Sequence, residues 1–302
     1  MTAHRDQSVS SRGSDYVARQ RSPMQLAVGR FLANRVAVGG LGVLVAIALL
    51  ALLAPVVAPY SPTDIDLANT RAAPSADHWL GTDRNGRDVL SRMLHAGRVS
   101  LAVGVAAALT ASLIGLVLGL TAAMVGGRVD GAIMRVADVV LSLPTLIVVL
   151  VLAGLVGPSL RTLIIAIGLL EWPTACRIVR GVGLSMRERE FIEATRAIGS
   201  TKLRISVRHM APAVLPPLSV VGTLLVASAV LTEAGLSFLG LGVQPPQASW
   251  GNMLTAAQSL AVLREMPWLW IPPGVAVSVT VLAVNFVGDG LRDAVDPEQQ
   301  LL

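Results

Sequence analysis

The chain has 302 residues, of which 53% are hydrophobic, 14% charged and 4% aromatic. A water-soluble domain of this length needs about 25% charged residues to cover its surface, so the composition excludes that class and predicts an all-α integral membrane protein. The formal charge of +5, from 24 Lys and Arg against 19 Asp and Glu, is that of basic loops anchored at membrane lipid, and nucleic acid is set aside as a partner.

Residues 1–22 are rich in Ser, Arg and Asp and read as a disordered tail; residues 1–35 together form a cytoplasmic lead-in. Residues 36–302 form the membrane domain. A bilayer-crossing helix needs about 20 apolar residues, and six stretches qualify: about 36–58, 99–125, 132–156, 160–181, 212–234 and 268–288. The first is too long for a signal-peptide core and reads as a retained span.

Between the first two spans, residues 83–98 alternate charges (Asp83, Arg84, Arg87, Asp88, Arg92, Arg98) with Val89, Leu90, Met93 and Leu94. The pattern predicts a short amphipathic helix lying on the outer surface. Gly115 and Gly119 form a G-x-x-x-G pair in the second span that permits close packing, including with another subunit. At the start of the third span Arg135 and Asp138 are spaced for a local ion pair, and Pro144 predicts a kink. The fourth span carries Glu171, Pro173 and Arg177. A carboxyl at membrane depth is costly, so Glu171 is assigned to a translocation path or a subunit interface, with pairing to Arg177 as the plain alternative.

Residues 182–211 then form the most charged internal loop. Helical spacing over 187–198 places Arg189, Glu193 and Arg196 on one side, with Ile192, Thr195 and Ile198 beside them. Gly199 tolerates φ > 0 and ends that helix, a second limb follows over 201–210, and Pro212 opens the fifth span. The plain alternative is a basic loop lying on anionic lipid. Beyond the fifth span, 243–267 reads as an interfacial or re-entrant helix, with Trp250, Trp268 and Trp270 in an aromatic belt at the outer interface.

Lys and Arg accumulate on the cytoplasmic side. With both ends inside, inner segments hold 17 of them and outer segments 7, which supports six spans with the charged loop in the cytoplasm. Cys176 has no partner for an internal disulfide, and His4, His78, His95 and His209 show no metal-ligand spacing. Lys202, the one lysine, follows Thr201 rather than preceding Ser or Thr in a glycine frame, so a P-loop is excluded. No paired carboxyls or Ser–His set marks an intramembrane enzyme, and neither catalytic, cofactor-binding nor metal residues are assigned.

The stretch EATRAIGSTKLRISVRHMAP (193–212) resembles the E-A-A, three residues, G, nine residues, I-x-L-P signature of ABC-importer permeases. Glu193, Ala194, Gly199 and Pro212 match, whereas Thr195, His209 and Ala211 depart from it. The segments RFLANRVAVGGLGVLV (30–45), HWLGTDRNGRDVLSRMLHAGRVSL (78–101), MRVADVVLSLP (134–144), SFLGLGVQPPQASWGNML (237–254) and PWLWIPPGVAVSVTVLAVNFVGDGLRDAVDP (267–297) are similar, in order, to C-type permeases of dipeptide, oligopeptide and nickel importers. The resemblance implies a bacterial inner-membrane, multi-pass subunit paired with a homologous permease in a heterodimer. It would be fed by an extracytoplasmic substrate-binding protein and energised by two cytoplasmic ATPase subunits, or one fused ATPase, which use ATP and Mg. It further implies that the loop is the coupling helix, with Arg189, Glu193, Ala194, Ala197 and Gly199 docking the ATPase, and that di- or oligopeptides are imported by alternating access. Nickel, glutathione and other small solutes stay open as cargo, and an ATP-independent secondary transporter is the rival class.

Overall fold

The computed structural model describes residues 23–295; the tail expected over residues 1–22 lies outside them. Among the described residues every regular element is helical, and one isolated bridge joins Thr82 to Asp88. Helix α1 (Pro23–Ala33) stops at Asn34, whose side chain accepts from the amides of Val36 and Ala37 and so caps α2 (Arg35–Leu52). Such a cap satisfies amides that the first turn leaves without partners. A short α3 (Ala54–Val57) follows.

Residues 58–88 form a folded segment without a long helix. Asp83 organises it: its carboxylate accepts from the amides of Asn85 and Arg87 and from the Arg87 guanidinium at 2.8 Å. Asp66 caps a single 3₁₀ turn, and donation from Asn69 and from the Ala68 amide holds its carboxyl below the usual range. Asp88 accepts from Ser91 N at 2.7 Å and starts α4 (Val89–Val125). Its 37 residues rise about 55 Å at 1.5 Å each, so the two ends of α4 mark the two ends of the bundle.

The expected amphipathic surface helix over 83–98 is therefore not formed. Residues 89–98 are the first turns of α4 because their apolar side is not lying on lipid: Val89 and Ala96 are buried in a cluster with Trp250, and a Cβ on Gly97 would stand 3.0 Å from the Trp250 ring. Trp250 is likewise not part of an interfacial belt, being 3% exposed with its indole N–H donating to Met93 O at 3.2 Å.

The third expected span is two helices, α5 (Gly127–Ser142) and α6 (Thr145–Val156), bent by 86°. Pro144 forces Leu143 into extended backbone (ψ 133°), so the helix cannot continue through it. Arg135 and Asp138 do not pair; Asp138 instead receives the Arg177 guanidinium at 2.5 Å, and Asp130 takes Arg180. Both bonds tie α5 to α7 (Leu160–Arg187), a reach that spacing along one helix does not reveal. Helices α4 and α7 form the most extensive contact of the bundle. Its cause is a strip of small residues: a Cβ at Gly115 would meet that of Ala175 at 2.5 Å, and one at Gly119 would stand 2.7 Å from Cys176 O. The G-x-x-x-G pair is thus used inside the chain.

After α8 (Glu190–Ala197) and α9 (Lys202–Ile205), a π turn over Ser206–Met210 runs without a break into α10 (Ala211–Phe238). The second limb and the fifth span are one continuous helix rather than two. The π turn accommodates prolines ahead, with the Ala211 amide reaching back to Ser206 O. Short helices α11 (Trp250–Leu254) and α12 (Leu260–Glu265) cross one end of the bundle, and α13 (Ile271–Val295) packs against α1, α2 and α10. Among the described residues five helices are long and apolar enough to cross a membrane, or six with the α5–α6 pair taken as one span.

Candidate functional site

The elbow begins where α7 ends. Arg187 donates to Ala123 O at 2.9 Å and pins the end of α7 to the end of α4. Arg189, in extended backbone (ψ 139°), redirects the chain into α8. Gly199 closes α8 at φ +88°, with its amide on Arg196 O and the Ser200 amide on Thr195 O, and only glycine enters that region freely. Thr201 then caps α9 through the Arg204 amide.

One side of α8 is anchored. Ile192 is fully buried in a cluster with Met186 of α7, Ile205 of α9, Met210 of the π turn and Val214 of α10. The other side is free: Arg189, Glu193, Ala194, Ala197 and Gly199 are all exposed. Arg189, Glu193 and Ala197 stand at four-residue intervals and share a face. The expected grouping of Ile198 with Ile192 does not form: Ile198 is 84% exposed, because the turn at Gly199 carries it off the anchored face. Leu203 and Val207, both largely exposed, extend an apolar strip that the sequence reading did not single out. Its signal was available, since three large aliphatic residues in so charged a loop have no polar reason to be there.

Among the described residues two carboxyls, Glu171 and Glu233, lie inside the bundle. Glu171 of α7 accepts from the Ser228 hydroxyl of α10 at 2.5 Å, while its Oε2 is buried without a partner. It does not pair with Arg177, which is committed to Asp138. Glu233 of α10, which the sequence reading passed over, is fully buried. It accepts from Ser100 of α4 at 3.0 Å and from Ser237 at 2.6 Å. Ser237 Oγ in turn accepts from Val243 N, and Ser100 Oγ from Trp250 N. One carboxyl thereby joins α4, α10, the 239–249 turn and α11.

Against this geometry, residues 115–300 match the family described as the binding-protein-dependent transport system inner membrane component. Residues 22–74 match the N-terminal TM domain of oligopeptide transport permease C. The chain belongs to this family, as an ABC permease of the OppC/NikC type. It is 47% identical over 283 residues to the oligopeptide transport system permease protein OppC of Escherichia coli (strain K12), covering 93% of each chain. To the nickel transport system permease protein NikC of the same strain it is 43% identical over 257 residues, 84% of this chain and 92% of the relative. The family's inner-membrane description agrees with the multiple apolar helices, and the permease is a multi-pass membrane protein rather than an enzyme. The 115–300 match spans the elbow, Glu171 and Glu233, whereas the folded segment 75–88 lies between the two matched regions.

Proposed function

We propose that this permease is half of the translocation path of an ATP-driven importer of di- or oligopeptides, coupled to its ATPase subunits through residues 187–210. The observation that carries the proposal is the two-sided elbow. Its outer face presents Arg189, Glu193, Ala194, Ala197 and exposed aliphatic residues, which suits a protein groove with a charged rim. Its inner face is locked by Ile192 onto α7 and α10, so a displacement of α8 is passed to both helices rather than absorbed. On this reading residues 1–35 and the C-terminus are cytoplasmic, residues 36–302 form the permease domain, and ATP and Mg are used by partner subunits. The path is completed by a homologous permease in a heterodimer and loaded by an extracytoplasmic binding protein. Alternating access follows as motion of α8 tilts α7 and α10 together.

Peptide cargo rests on the OppC relative; the NikC relative favours a second cargo, nickel. Proteoliposomes with the assembled subunits, given labelled dipeptide or nickel with ATP, separate the two. Glu193→Lys reverses a rim charge, and Gly199→Val imposes a β-branched residue at φ +88° at a cost of about 1–3 kcal/mol. Both are expected to lower ATP-dependent uptake about tenfold or more without loss of membrane insertion. Full uptake and unchanged ATPase co-purification in both variants would refute the docking assignment.

A further inference from the structure

At the end of the bundle opposite the elbow lies a cavity of about 490 Å³, lined by residues from 71–92 and from 237–269. That volume is within the range of about 300–1,000 Å³ typical of small-molecule sites. Four arginines line it, Arg71, Arg84, Arg87 and Arg92, and Asp83 is the one lining carboxylate. These are four of the seven arginines in segments assigned to the outside, the side on which arginine is depleted. Their gathering around one cavity is not what scattered surface charge produces.

Asp83 is already saturated. It takes Arg87 at 2.7 Å and Arg92 at 3.5 Å, besides two backbone amides. Arg71 and Arg84 form no ion pair among the described residues, and both are exposed at the cavity mouth. Their backbones are held close together, because the Arg71 amide donates to Asp83 O at 2.9 Å, one residue from Arg84, and both side chains line the cavity. Arg71 also adopts φ +55°, a conformation that glycine or asparagine enters at lower cost. The opposite wall has different chemistry. Gln244 and Gln258 turn their NH₂ groups onto the carbonyls of Gly240 and Phe238, leaving amide oxygens as acceptors. The floor is apolar, formed by Val89, Met253, Val262 and Leu269.

We infer that this cavity is a binding site for a small organic carboxylate, the free C-terminal end of a short peptide, held by Arg71 and Arg84 with its N–H groups facing Gln244 and Gln258. A planar guanidinium pair matches a carboxylate through charge-assisted bonds, and the apolar floor gives an organic acid an advantage over an inorganic anion. The assignment of this end to the outside rests on the proposed function. The site would select for an unblocked C-terminus before the peptide enters the path.

The test uses the full-length permease assembly without its binding protein, in phosphatidylcholine nanodiscs, with radiolabelled Ala-Phe and its C-terminal amide as probes. The acid is expected to bind about tenfold more tightly than the amide, as loss of one charge-assisted contact implies. The Arg71→Gln/Arg84→Gln variant is expected to lose that preference, while Arg161→Gln, at an outer arginine on α7 that does not line the cavity, keeps it. Equal binding of acid and amide by the wild type overturns the site, and this comparison needs no variant to fold. Displacement of the acid by phosphatidylglycerol or inorganic phosphate at equal potency also overturns it, in favour of a headgroup or free oxyanion. ATP-dependent uptake with equal binding of acid and amide sinks the site and leaves the importer standing; acid preference without such uptake does the reverse.

Discussion

Glu171 and Glu233 are both carboxyls in an apolar bundle, and they differ in how completely they are satisfied. Glu233 has two hydroxyl donors, one for each oxygen, and bridges four segments, so it reads as a structural clamp. Glu171 has one donor and a second oxygen left over, buried between α7 and α10. A buried, unsatisfied oxygen costs about 1–3 kcal/mol, and a site that retains it is a candidate for a ligand that comes and goes. Glu171→Gln preserves shape and the bond from Ser228, so assembly and Tm are expected to hold while peptide uptake falls about tenfold. Wild-type uptake in that variant would remove Glu171 from the path. Ser228→Ala instead strips the carboxyl of its one partner, and thermal unfolding is expected to show destabilisation of about 1–3 kcal/mol. The sequence made Glu171 legible, because a charge amid apolar residues is visible along one helix. Glu233 is visible in the same way within the span 212–234, but its clamping role is not: Ser100 lies 133 residues distant, and no local pattern joins them.

At the scale of elements, the strip between α4 and α7 decides how the bundle closes. A Cβ at Gly119 would press on the Cys176 carbonyl and on Val179 at 2.7 Å, where backbone cannot yield cheaply. Gly119→Ala is therefore expected to destabilise by about 1–3 kcal/mol, as over-packing does. Gly131, the fifth residue of α5, has nothing within 4 Å of its would-be Cβ. Gly131→Ala is expected to be neutral or to stabilise by up to about 1 kcal/mol through the helix propensity of alanine. Thermal unfolding in one detergent checks both, and a shift of the same sign and size in the two variants would refute the packing account. Helix existence was readable from apolar length, and so was the turn at Gly199, which needs only a residue free to take φ > 0. Pro144 announced a break but not its 86°, which depends on what α6 meets after the turn. The start of α4 was missed because alternating charges at 83–98 describe an amphipathic face equally well whether lipid or Trp250 covers it.

The whole molecule has two chemically different ends. At one, the elbow exposes arginines and aliphatic residues that nothing in the chain covers. At the other, arginines are drawn together around Asp83 and a cavity. Counting Lys and Arg treats these as equivalent, yet Arg87 and Arg92 of the second group are tied to Asp83 by folding, whereas the elbow's Arg189 and Arg196 are free to face anionic lipid or protein. A chemical label decides the orientation. Native Cys176 is fully buried, so the wild type is expected not to react with a membrane-impermeant maleimide from either side. Ile198→Cys, at a position 84% exposed on the elbow, is expected to react only in inverted vesicles. Trp79→Cys, at a position 72% exposed in the 58–88 segment, is expected to react only in intact cells. The opposite pattern would put the elbow outside, beyond the reach of any cytoplasmic ATPase, and coupling through α8 would be physically impossible.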